Sequence, residues 1–283
     1  MIREVRVAMT ETENPEIGAT IEASGLATNY HDVGQGRPVV LLHGSGPGVT
    51  AWANWRLTIP PLSERFRVIA PDVTGFGYTQ KTPDDRYNME RWLDHLTGFL
   101  DAAAVDRVSV VGNSFGGALA LALAVNHPER VDRLVLMGAA GLEFELTPGL
   151  DAVWGYEPSF GNMRNLISLF AYDQSLVSDE LAEMRYRASV RPGVQESYCR
   201  MFPAPRQDGI RSLAQDEEAI AALRHEVLIV HGREDRVIPL ESSERLHRLI
   251  DRSQLHVFGR CGHWTQIEHA DRFVRLVGDF LDE

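Results

Sequence analysis

The chain has 283 residues, 44% hydrophobic and 24% charged, a composition typical of a globular protein with one large core. It carries 40 acidic and 28 basic residues, a formal net charge of −12 that argues against nucleic-acid binding, because that function needs a basic face. No apolar run reaches the length of a membrane span, and residues 1–14 lack the apolar core of a signal peptide. These features predict a cytoplasmic protein that does not contact membranes.

Short apolar runs recur along the chain and alternate with helical segments. They lie at residues 38–42, 67–70, 108–111, 134–137, 227–230 and 255–258. Because these runs are almost entirely apolar, they are expected to be strands buried on both faces of a parallel sheet. Two earlier segments, 17–23 and 26–33, flank the turn signal Ser24-Gly25 and predict an antiparallel hairpin.

Helical patterns fill the spaces between these strands. Residues 90–103 and 117–126 predict amphipathic helices, and residues 265–281 predict a C-terminal helix. From residue 142 to residue 214 the chain has no strand pattern but many prolines, aromatic residues and methionines. We therefore predict an α/β fold with a core in two parts, residues 1–141 and 215–283. Residues 142–214 are predicted to form a helical lid over the carboxyl edge of the sheet, where open α/β folds bind ligands.

The strongest motif follows the run at 108–111. It reads Gly112-Asn113-Ser114-Phe115-Gly116 and leads directly into an apolar helical stretch. A serine between two glycines at a strand-to-helix turn is typical of a nucleophile elbow, because the glycines remove Cβ atoms that would collide there. The turn is expected to raise the Ser114 hydroxyl above the sheet and to aim the N-terminus of the helix at developing negative charge.

A serine hydroxyl becomes a strong nucleophile only when a base takes its proton, so the motif requires a histidine and an orienting acid. Asp235 lies in the loop after the run at 227–230, and His263 lies in the loop after the run at 255–258. This order along the chain and these loop positions match the triads of such folds. The sequence therefore predicts a catalytic triad of Ser114, His263 and Asp235.

Small residues follow the run at 38–42, in the segment His43-Gly44-Ser45-Gly46. They predict that the backbone N–H of Ser45 forms an oxyanion hole together with the N–H of Phe115. The alternative is a tight turn with no role in ligand binding. His43 is expected to be structural, because the triad already contains a base.

Other polar side chains near the expected site could contact a substrate. Asn54 and Asn113 are equally compatible with substrate contact and with backbone hydrogen bonding. Arg185 and Arg191 lie in the predicted lid, where one of them could clamp a carboxylate over an apolar pocket. Trp264, beside the predicted catalytic histidine, is expected to pack on substrate rather than only to anchor its loop.

The remaining candidates point to structural roles. Asp72 follows a predicted strand but precedes the elbow in the chain, and it is interpreted as a turn residue. Cys199 and Cys261 are expected to be reduced thiols. No cluster of cysteine and histidine has zinc spacing, so no metal is expected.

Taken together, these motifs resemble the meta-cleavage product hydrolases, α/β-hydrolases of bacterial aromatic degradation that cut carbon–carbon bonds. The resemblance rests on the elbow, on residues 43–48 and 232–236, and on Cys-Gly-His-Trp at 261–264. It runs from about residue 17 to the C-terminus and is greatest for the hydrolases of 2-hydroxymuconic semialdehyde. The family commonly has glycine at the position of Ser45, a departure that leaves the backbone N–H in place.

The resemblance implies roles for single residues. Arg185 would bind the substrate carboxylate, and Asn54 and Asn113 would be polar residues of the site. Phe170 in the lid and Trp264 would face the substrate. The resemblance also implies that no cofactor is required and that the protein is a homo-oligomer, a dimer or larger.

The implied substrates are 2-hydroxy-6-oxohexa-2,4-dienoates, small anions that are cut to 2-hydroxypenta-2,4-dienoate and a short carboxylic acid. The bulky lid side chains, including Trp154, Phe160 and Phe170, are expected to shorten the acyl end of the pocket and to favour hydrogen or a short alkyl group at C6. Two alternatives stay open: a carboxylesterase on the same scaffold, and a non-catalytic receptor for a small ligand.

Overall fold

The computed structural model describes residues 14–283, so almost all of the segment considered above for a signal peptide lies outside the described residues. Within this range one sheet contains every described strand: β1 (Ala19–Ala23), β2 (Leu26–Val33), β3 (Pro38–Leu42), β4 (Arg67–Pro71), β5 (Val108–Asn113), β6 (Val131–Met137), β7 (Glu226–Gly232) and β8 (Ser253–Phe258).

The first six described α-helices are α1 (Ala51–Trp55), α2 (Ile59–Leu62), α3 (Met89–Ala102), α4 (Phe115–Asn126), α5 (Pro148–Trp154) and α6 (Phe160–Phe170). The following seven are α7 (Asp179–Ser189), α8 (Val194–Met201), α9 (Gln207–Leu213), α10 (Glu217–Ala221), α11 (Leu240–Leu249), α12 (Thr265–Glu268) and α13 (Ala270–Asp282). Across residues 14–283, no helix combines the length and the apolar character needed to cross a membrane.

The strands lie in the order β1-β2-β4-β3-β5-β6-β7-β8. β2 runs antiparallel to its neighbours β1 and β4, and every pair from β4 to β8 is parallel. The predicted sheet, mostly parallel with an antiparallel hairpin at its start, is confirmed. Ser24 and Gly25 connect the hairpin with φ values of 48° and 75°, the positive values that a tight hairpin turn requires.

Chain order along the sheet reverses between β3 and β5, because the chain passes from β3 outward to β4 and then returns to β5 on the other side. In open α/β sheets ligands bind outside the carboxyl ends of the strands at such a point. The loop after β3 and the turn after β5 therefore lie where a ligand is expected.

The core has two layers, one on each face of the sheet. Along β3, Val39 and Leu41 join one buried cluster, and Val40 and Leu42 join the other. Because both faces are covered, successive strand residues are all apolar, which explains the continuous apolar runs in the sequence.

Two helix predictions are corrected. α4 is not amphipathic: Phe115 to Ala124 are buried without interruption, as expected for a helix that is covered on every side. The predicted C-terminal helix is two helices, α12 and α13, because His269 leaves the helical conformation at φ −128° and ψ 42°.

Between β6 and β7 the chain forms helices α5 to α10 and no strand, within a range that is fully described. Helices α5 to α9 fall inside residues 142–214, and we propose this segment as the lid of the domain. α10 falls after it, in the second part of the proposed core.

Candidate active site

Ser114 occupies the turn between β5 and α4, with φ 55° and ψ −115°. Positive φ is strained for a residue with a Cβ and persists only when the surroundings enforce it. Here the Ser114 N–H donates to Met137 O at 2.9 Å, and the Ser114 carbonyl accepts from Ala140 N at 3.1 Å. The backbone on both sides of the residue is thus fixed by the neighbouring strand β6 and the loop after it.

The glycines of the motif are required by close backbone contacts. A Cβ at Gly112 would lie 2.3 Å from the carbonyl oxygen of Gly116, and a Cβ at Gly116 would lie 2.3 Å from that of Leu42. Both distances are far below van der Waals contact, so no side chain fits at either position. The elbow can therefore turn sharply and present the serine at the carboxyl edge of the sheet.

The predicted acid and base are in contact. His263 Nδ1 lies 2.7 Å from Asp235 Oδ2, and Asp235 Oδ1 accepts from the N–H groups of Val237 at 2.7 Å and Ile238 at 3.0 Å. Burial alone would raise the pKa of Asp235, but His263, His231 and the backbone donor Val237 outweigh it and hold the pKa below its usual value. A charged Asp235 keeps the proton on His263 Nδ1, which leaves Nε2 free to accept one.

A second imidazole supports the carboxylate. His231 Nε2 lies 3.4 Å from Asp235 Oδ2 and 3.1 Å from Ile238 O, and its Nδ1 lies 2.7 Å from Ser243 Oγ. Burial lowers the pKa of His231, which keeps the ring neutral. A neutral ring that donates through Nε2 can stabilise Asp235 without competing with His263 for its charge.

Ser114 and His263 line the same cavity at the carboxyl edge of the sheet. Within residues 14–283 no hydrogen bond joins the two side chains. Catalytic hydrogen bonds are often long in the absence of substrate and shorten in the reactive complex. The structure thus brings Ser114, His263 and Asp235 to one site. His263 is hydrogen-bonded to Asp235, and within residues 14–283 its ring is not hydrogen-bonded to Ser114.

The proposed oxyanion donors flank the serine. The Phe115 N–H belongs to the first turn of α4, where helix N–H groups lack helical partners. Ser45 also lines the cavity, and neither its N–H nor that of Phe115 donates a hydrogen bond to any part of residues 14–283. The side chain of Asn54 supports the loop, because its Oδ1 accepts from Gly44 N at 3.3 Å.

Ser45 is also tied to the proposed lid. Trp154 Nε1 donates to Ser45 Oγ at 3.0 Å, and the Tyr198 hydroxyl donates to the Ser45 carbonyl oxygen at 2.8 Å. Glycine at this position would form only the second of these bonds. The departure from the family pattern therefore adds a bond between the oxyanion loop and the lid.

This bond leads to a testable expectation. Ser45→Ala and Trp154→Phe each remove it while leaving the Ser45 N–H in place, and each is expected to lower kcat about three- to tenfold, on the scale of one buried hydrogen bond. A double-mutant cycle should show that the double variant loses little more than either single variant. Fully additive losses, or wild-type kcat in both single variants, would contradict the proposed tie.

The cavity is mostly apolar around these groups. The proposed lid contributes half of the apolar and aromatic lining: Leu150, Val153, Met163, Ile167, Phe170 and Leu181. The other half consists of Pro47, Val49, Ala53, Val237, Trp264 and Ile267. Trp154 and Phe160 do not line the cavity, so their predicted role in shortening it is wrong. Trp154 is buried in a stack on Phe202, with ring centroids 4.6 Å apart, and Phe160 begins α6 on the exposed surface.

Phe170 and Trp264 do line the cavity. Their rings stack at 5.0 Å, and Phe170 also stacks on the His263 ring at 5.8 Å. The Phe170 carbonyl accepts from His263 N at 2.7 Å. The end of α6 thus holds the loop of the catalytic histidine, so Phe170 has a structural role beside the implied contact with substrate.

Two arginine residues line the cavity. Arg185 on α7, the predicted carboxylate ligand, lines the cavity, and so does Arg56 just after α1, a residue that the sequence analysis missed. Arg191, the other predicted candidate, lies outside the cavity with its guanidinium 4.0 Å from the Tyr78 ring. A signal for Arg56 was available, because it follows Asn54 by two residues in the segment that leaves the oxyanion loop.

Two amide side chains also point to ligand binding. Asn54 Nδ2 and Gln266 Oε1 are buried, line the cavity and have no hydrogen-bond partner in the described part of the chain. Buried polar atoms are normally paired, so an unpaired donor and an unpaired acceptor indicate groups that a ligand or water completes. Asn113 Nδ2 instead contacts Met137 O at 3.4 Å. Gln266 was not predicted, although it stands only three residues after His263.

Two other sequence interpretations can be compared with the structure. His43 is structural, as expected: its Nε2 accepts from Val73 N at 3.0 Å, and burial lowers its pKa to about 4. Asp72 is more than a turn residue, because its buried carboxylate accepts from Ala51 N at 2.6 Å and Asn29 Nδ2 at 2.8 Å. Burial raises the pKa of Asp72 to about 6. It fixes the start of α1, which a local sequence pattern could not reveal.

Comparison with known proteins agrees with this geometry. Residues 37–270 match the model of a family described as the alpha/beta hydrolase fold. A 2-hydroxy-6-oxo-2,4-heptadienoate hydrolase of Pseudomonas putida strain F1 is 64% identical over 95% of this chain and 97% of its own length. A 2-hydroxymuconate semialdehyde hydrolase of Pseudomonas sp. strain CF600 is 61% identical, with 95% of each chain covered.

A solved structure agrees as well. A meta-cleavage product hydrolase from Pseudomonas fluorescens IP01 superposes with a TM-score of 0.94 at 61% identity, covering 95% of this chain and 99% of that one. An α/β sheet with a serine elbow and a histidine–aspartate pair, together with these matches over nearly the whole chain, leads to one assignment. The chain belongs to the α/β-hydrolase fold family and, within it, to the meta-cleavage product hydrolases.

Proposed function

We propose that this protein hydrolyses the C5–C6 bond of 2-hydroxy-6-oxohexa-2,4-dienoates, either 2-hydroxymuconic semialdehyde or its 6-alkyl analogues. The products are 2-hydroxypenta-2,4-dienoate and a short carboxylic acid. The observation that carries this proposal is that one apolar cavity is lined by Ser114 and His263 and also by two arginines, Arg56 and Arg185. The first pair suits acyl chemistry, and the second pair suits a substrate that carries a carboxylate.

In the proposed mechanism the substrate is first made ready to release a carbon leaving group. The C2 hydroxyl loses its proton and C5 gains one, assisted by His263, which converts the dienol into a 2-oxo-3-ene. When the C5–C6 bond later breaks, its electron pair is delocalised through the C3–C4 double bond into the C2 carbonyl. The leaving group is then a conjugated dienolate, far more stable than an isolated carbanion.

Ser114 then attacks C6, and His263 Nε2 takes the hydroxyl proton. The negative charge on the C6 oxygen is stabilised by the N–H groups of Ser45 and Phe115. C5–C6 cleavage forms an ester on Ser114, and the protonated His263 gives its proton to the C2 oxygen of the departing dienolate. Water, activated by the regenerated imidazole, then releases the carboxylic acid. Asp235 keeps the imidazole in the required tautomer and stabilises its protonated form.

A carboxylesterase on this scaffold is the second candidate, because the serine, histidine and aspartate alone would hydrolyse esters. A comparison of kcat/KM for the ring-fission product of catechol and for p-nitrophenyl acetate discriminates the two. The proposal expects rapid loss of the yellow dienoate and slow ester turnover. Rapid ester turnover with an unchanged dienoate would support the esterase, and no turnover of either would support a receptor.

The proposed role of Arg185 as ligand of the substrate carboxylate can be tested by substitution. Arg185→Lys should lower kcat/KM for the dienoate by about 1.5–3 kcal/mol, because a point ammonium cannot replace a planar donor pair. Turnover of p-nitrophenyl acetate, which has no carboxylate, should change little. Arg191→Lys is the matched control, since Arg191 lies outside the cavity. Equal losses with ester and dienoate would identify Arg185 as a structural residue.

Selectivity at C6 is also expected to be measurable. Helices α5 and α6 contribute Leu150, Val153, Met163 and Ile167 to the lining. We propose that these side chains, rather than Trp154 and Phe160, limit the size of the group at C6. We expect formyl, methyl-ketone and ethyl-ketone dienoates to exceed the 6-phenyl analogue in kcat/KM by at least ~10²-fold, since each surplus methylene in a filled pocket costs about 1–3 kcal/mol. A phenyl substrate that equals the methyl one would contradict this limit.

We also propose that the protein is a cytoplasmic homo-oligomer. The two cysteines are unpaired, which suits a reducing compartment. Strand β8 lies at the edge of the sheet, and an edge strand is protected by covering it. Light scattering of the purified protein tests the oligomeric state directly.

A further inference from the structure

Arg185, the predicted ligand of the substrate carboxylate, already forms an ion pair with a carboxylate of the protein itself. Glu16 Oε1 lies 2.7 Å from Arg185 Nη1, and the two side chains are only 13% and 12% exposed. The other arm of the guanidinium, Nη2, donates to Gly48 O at 2.7 Å. Arg185 thus faces the cavity while it is engaged by an acid from a different part of the chain.

Arg56 lies beside this pair without a carboxylate of its own. Its Nη1 donates to Ala53 O at 2.7 Å, and within residues 14–283 no acidic side chain forms an ion pair with it. Burial and the positive charge of Arg185 lower the pKa of Arg56, and the negative charge of Glu16 opposes them. Two guanidinium groups therefore share one carboxylate, which leaves one uncompensated positive charge at the cavity wall.

Glu16 lies between the catalytic cavity and a groove on the surface, and its backbone is held in place by a hydrogen bond. Its carbonyl accepts from Asn29 Nδ2 at 3.1 Å, and the same amide group donates to the buried Asp72 at 2.8 Å. On the outer side lies a groove whose lining includes Glu16, Trp52, Tyr78, Glu183, Arg187 and Arg191. That groove shares Ala53, Arg56, Leu181 and Arg185 with the catalytic cavity. The ion pair thus separates the cavity from the surface.

We propose that Glu16 is a placeholder for the substrate carboxylate: it holds Arg185 in the free enzyme, and the dienoate displaces it and binds between Arg185 and Arg56. This inference rests on the proposed function and deepens it by adding one competing and one cooperating residue to the carboxylate subsite.

The physical reason is the cost of burying unpaired charge. Two adjacent guanidinium groups without any counter-charge would repel each other and lose hydration, so the empty site would be costly to keep. Glu16 supplies half of the counter-charge, which fixes Arg185 in place, and leaves the site attractive to one more anion. Because Glu16 stays covalently attached nearby, it competes with the substrate at all times and weakens binding.

The test removes the competitor and keeps the arginines. Glu16→Gln is expected to lower KM for the dienoate about three- to tenfold, the scale of one partly buried ion pair. The ratio of kcat/KM for the dienoate to that for p-nitrophenyl acetate should rise by the same factor. Arg56→Met is expected to change this ratio in the opposite direction, about tenfold downward, because one of two charge-assisted contacts is lost.

Glu183→Gln is the matched control, because it removes one negative charge from the same outer groove but from an acid that pairs with Arg187 on the surface. It should leave the ratio unchanged. If Glu16→Gln leaves the ratio unchanged or lowers it, or if dienoate and ester turnover fall together, the placeholder is overturned while the proposed function stands. If the wild-type enzyme does not cleave the dienoate at all, the proposed function itself fails.

Discussion

Replacing Ser114 with alanine is expected to reduce kcat for the dienoate by on the order of 10⁴-fold or more, the scale measured when a triad nucleophile is removed. The Ser114 hydroxyl is the attacking group, and its proton passes to the free Nε2 of His263, which lines the same cavity. Substrate binding should persist, since Arg185 and Arg56 are unchanged. Stopped-flow absorbance of the dienoate measures turnover and binding in one experiment.

Ser109→Ala provides the matched control, because Ser109 is a buried serine of β5, the strand that leads into the elbow, and it does not line the cavity. It should keep turnover near the wild-type value. A Ser114→Ala enzyme that retains a tenth of wild-type kcat would exclude Ser114 as the nucleophile.

Asp235→Asn should lower kcat by about 10³–10⁴-fold, the scale of the corresponding change in other triads. An amide cannot stabilise protonated His263, and its NH₂ group would favour the wrong tautomer of the imidazole.

The same substitution is expected to change how stability depends on pH. Because the folded-state pKa of Asp235 is depressed, the ionised carboxylate adds stability above its unfolded-state pKa, and this contribution is lost as pH falls through the folded-state pKa. The difference in stability between wild type and variant should therefore be greatest near neutral pH and shrink in acid.

Steady-state kinetics and chemical denaturation across pH measure both effects. Asp251→Asn is a suitable control, because Asp251 is an exposed acid in the short link between α11 and β8. A variant at position 235 with wild-type kcat at neutral pH would show that another group orients His263. An unchanged stability difference across the acid range would show that the carboxylate is not held ionised by its neighbours.

The sheet and the predicted triad were visible in the sequence because local patterns specify them. Strands buried on both faces need continuous apolar runs, and a sharp turn under a serine needs glycine on both sides. Asp235 and His263 each follow such a run, so the topology of the sheet alone brings them to one edge. Their contact also depends on a distant segment, because the Phe170 carbonyl accepts from His263 N and holds the histidine loop.

The contents of the pocket were predicted less well, because they depend on packing between distant segments. Trp154 and Phe160 look like Phe170 in the sequence, but only Phe170 lies on the cavity side of its helix. The pairing of Glu16 with Arg185 joins residues 169 positions apart, and no local pattern encodes it. The break at His269 was missed for a different reason, since the apolar periodicity continues across it.

The proposed reaction breaks a carbon–carbon bond and adds water to the C6 fragment. The test is to identify and count both products when the wild-type enzyme consumes 2-hydroxymuconic semialdehyde, the yellow ring-fission product of catechol. We predict one molecule of formate and one molecule of 2-hydroxypenta-2,4-dienoate for each molecule consumed. Loss of colour with an intact six-carbon skeleton, or persistence of the dienoate while simple esters are hydrolysed, would contradict the account.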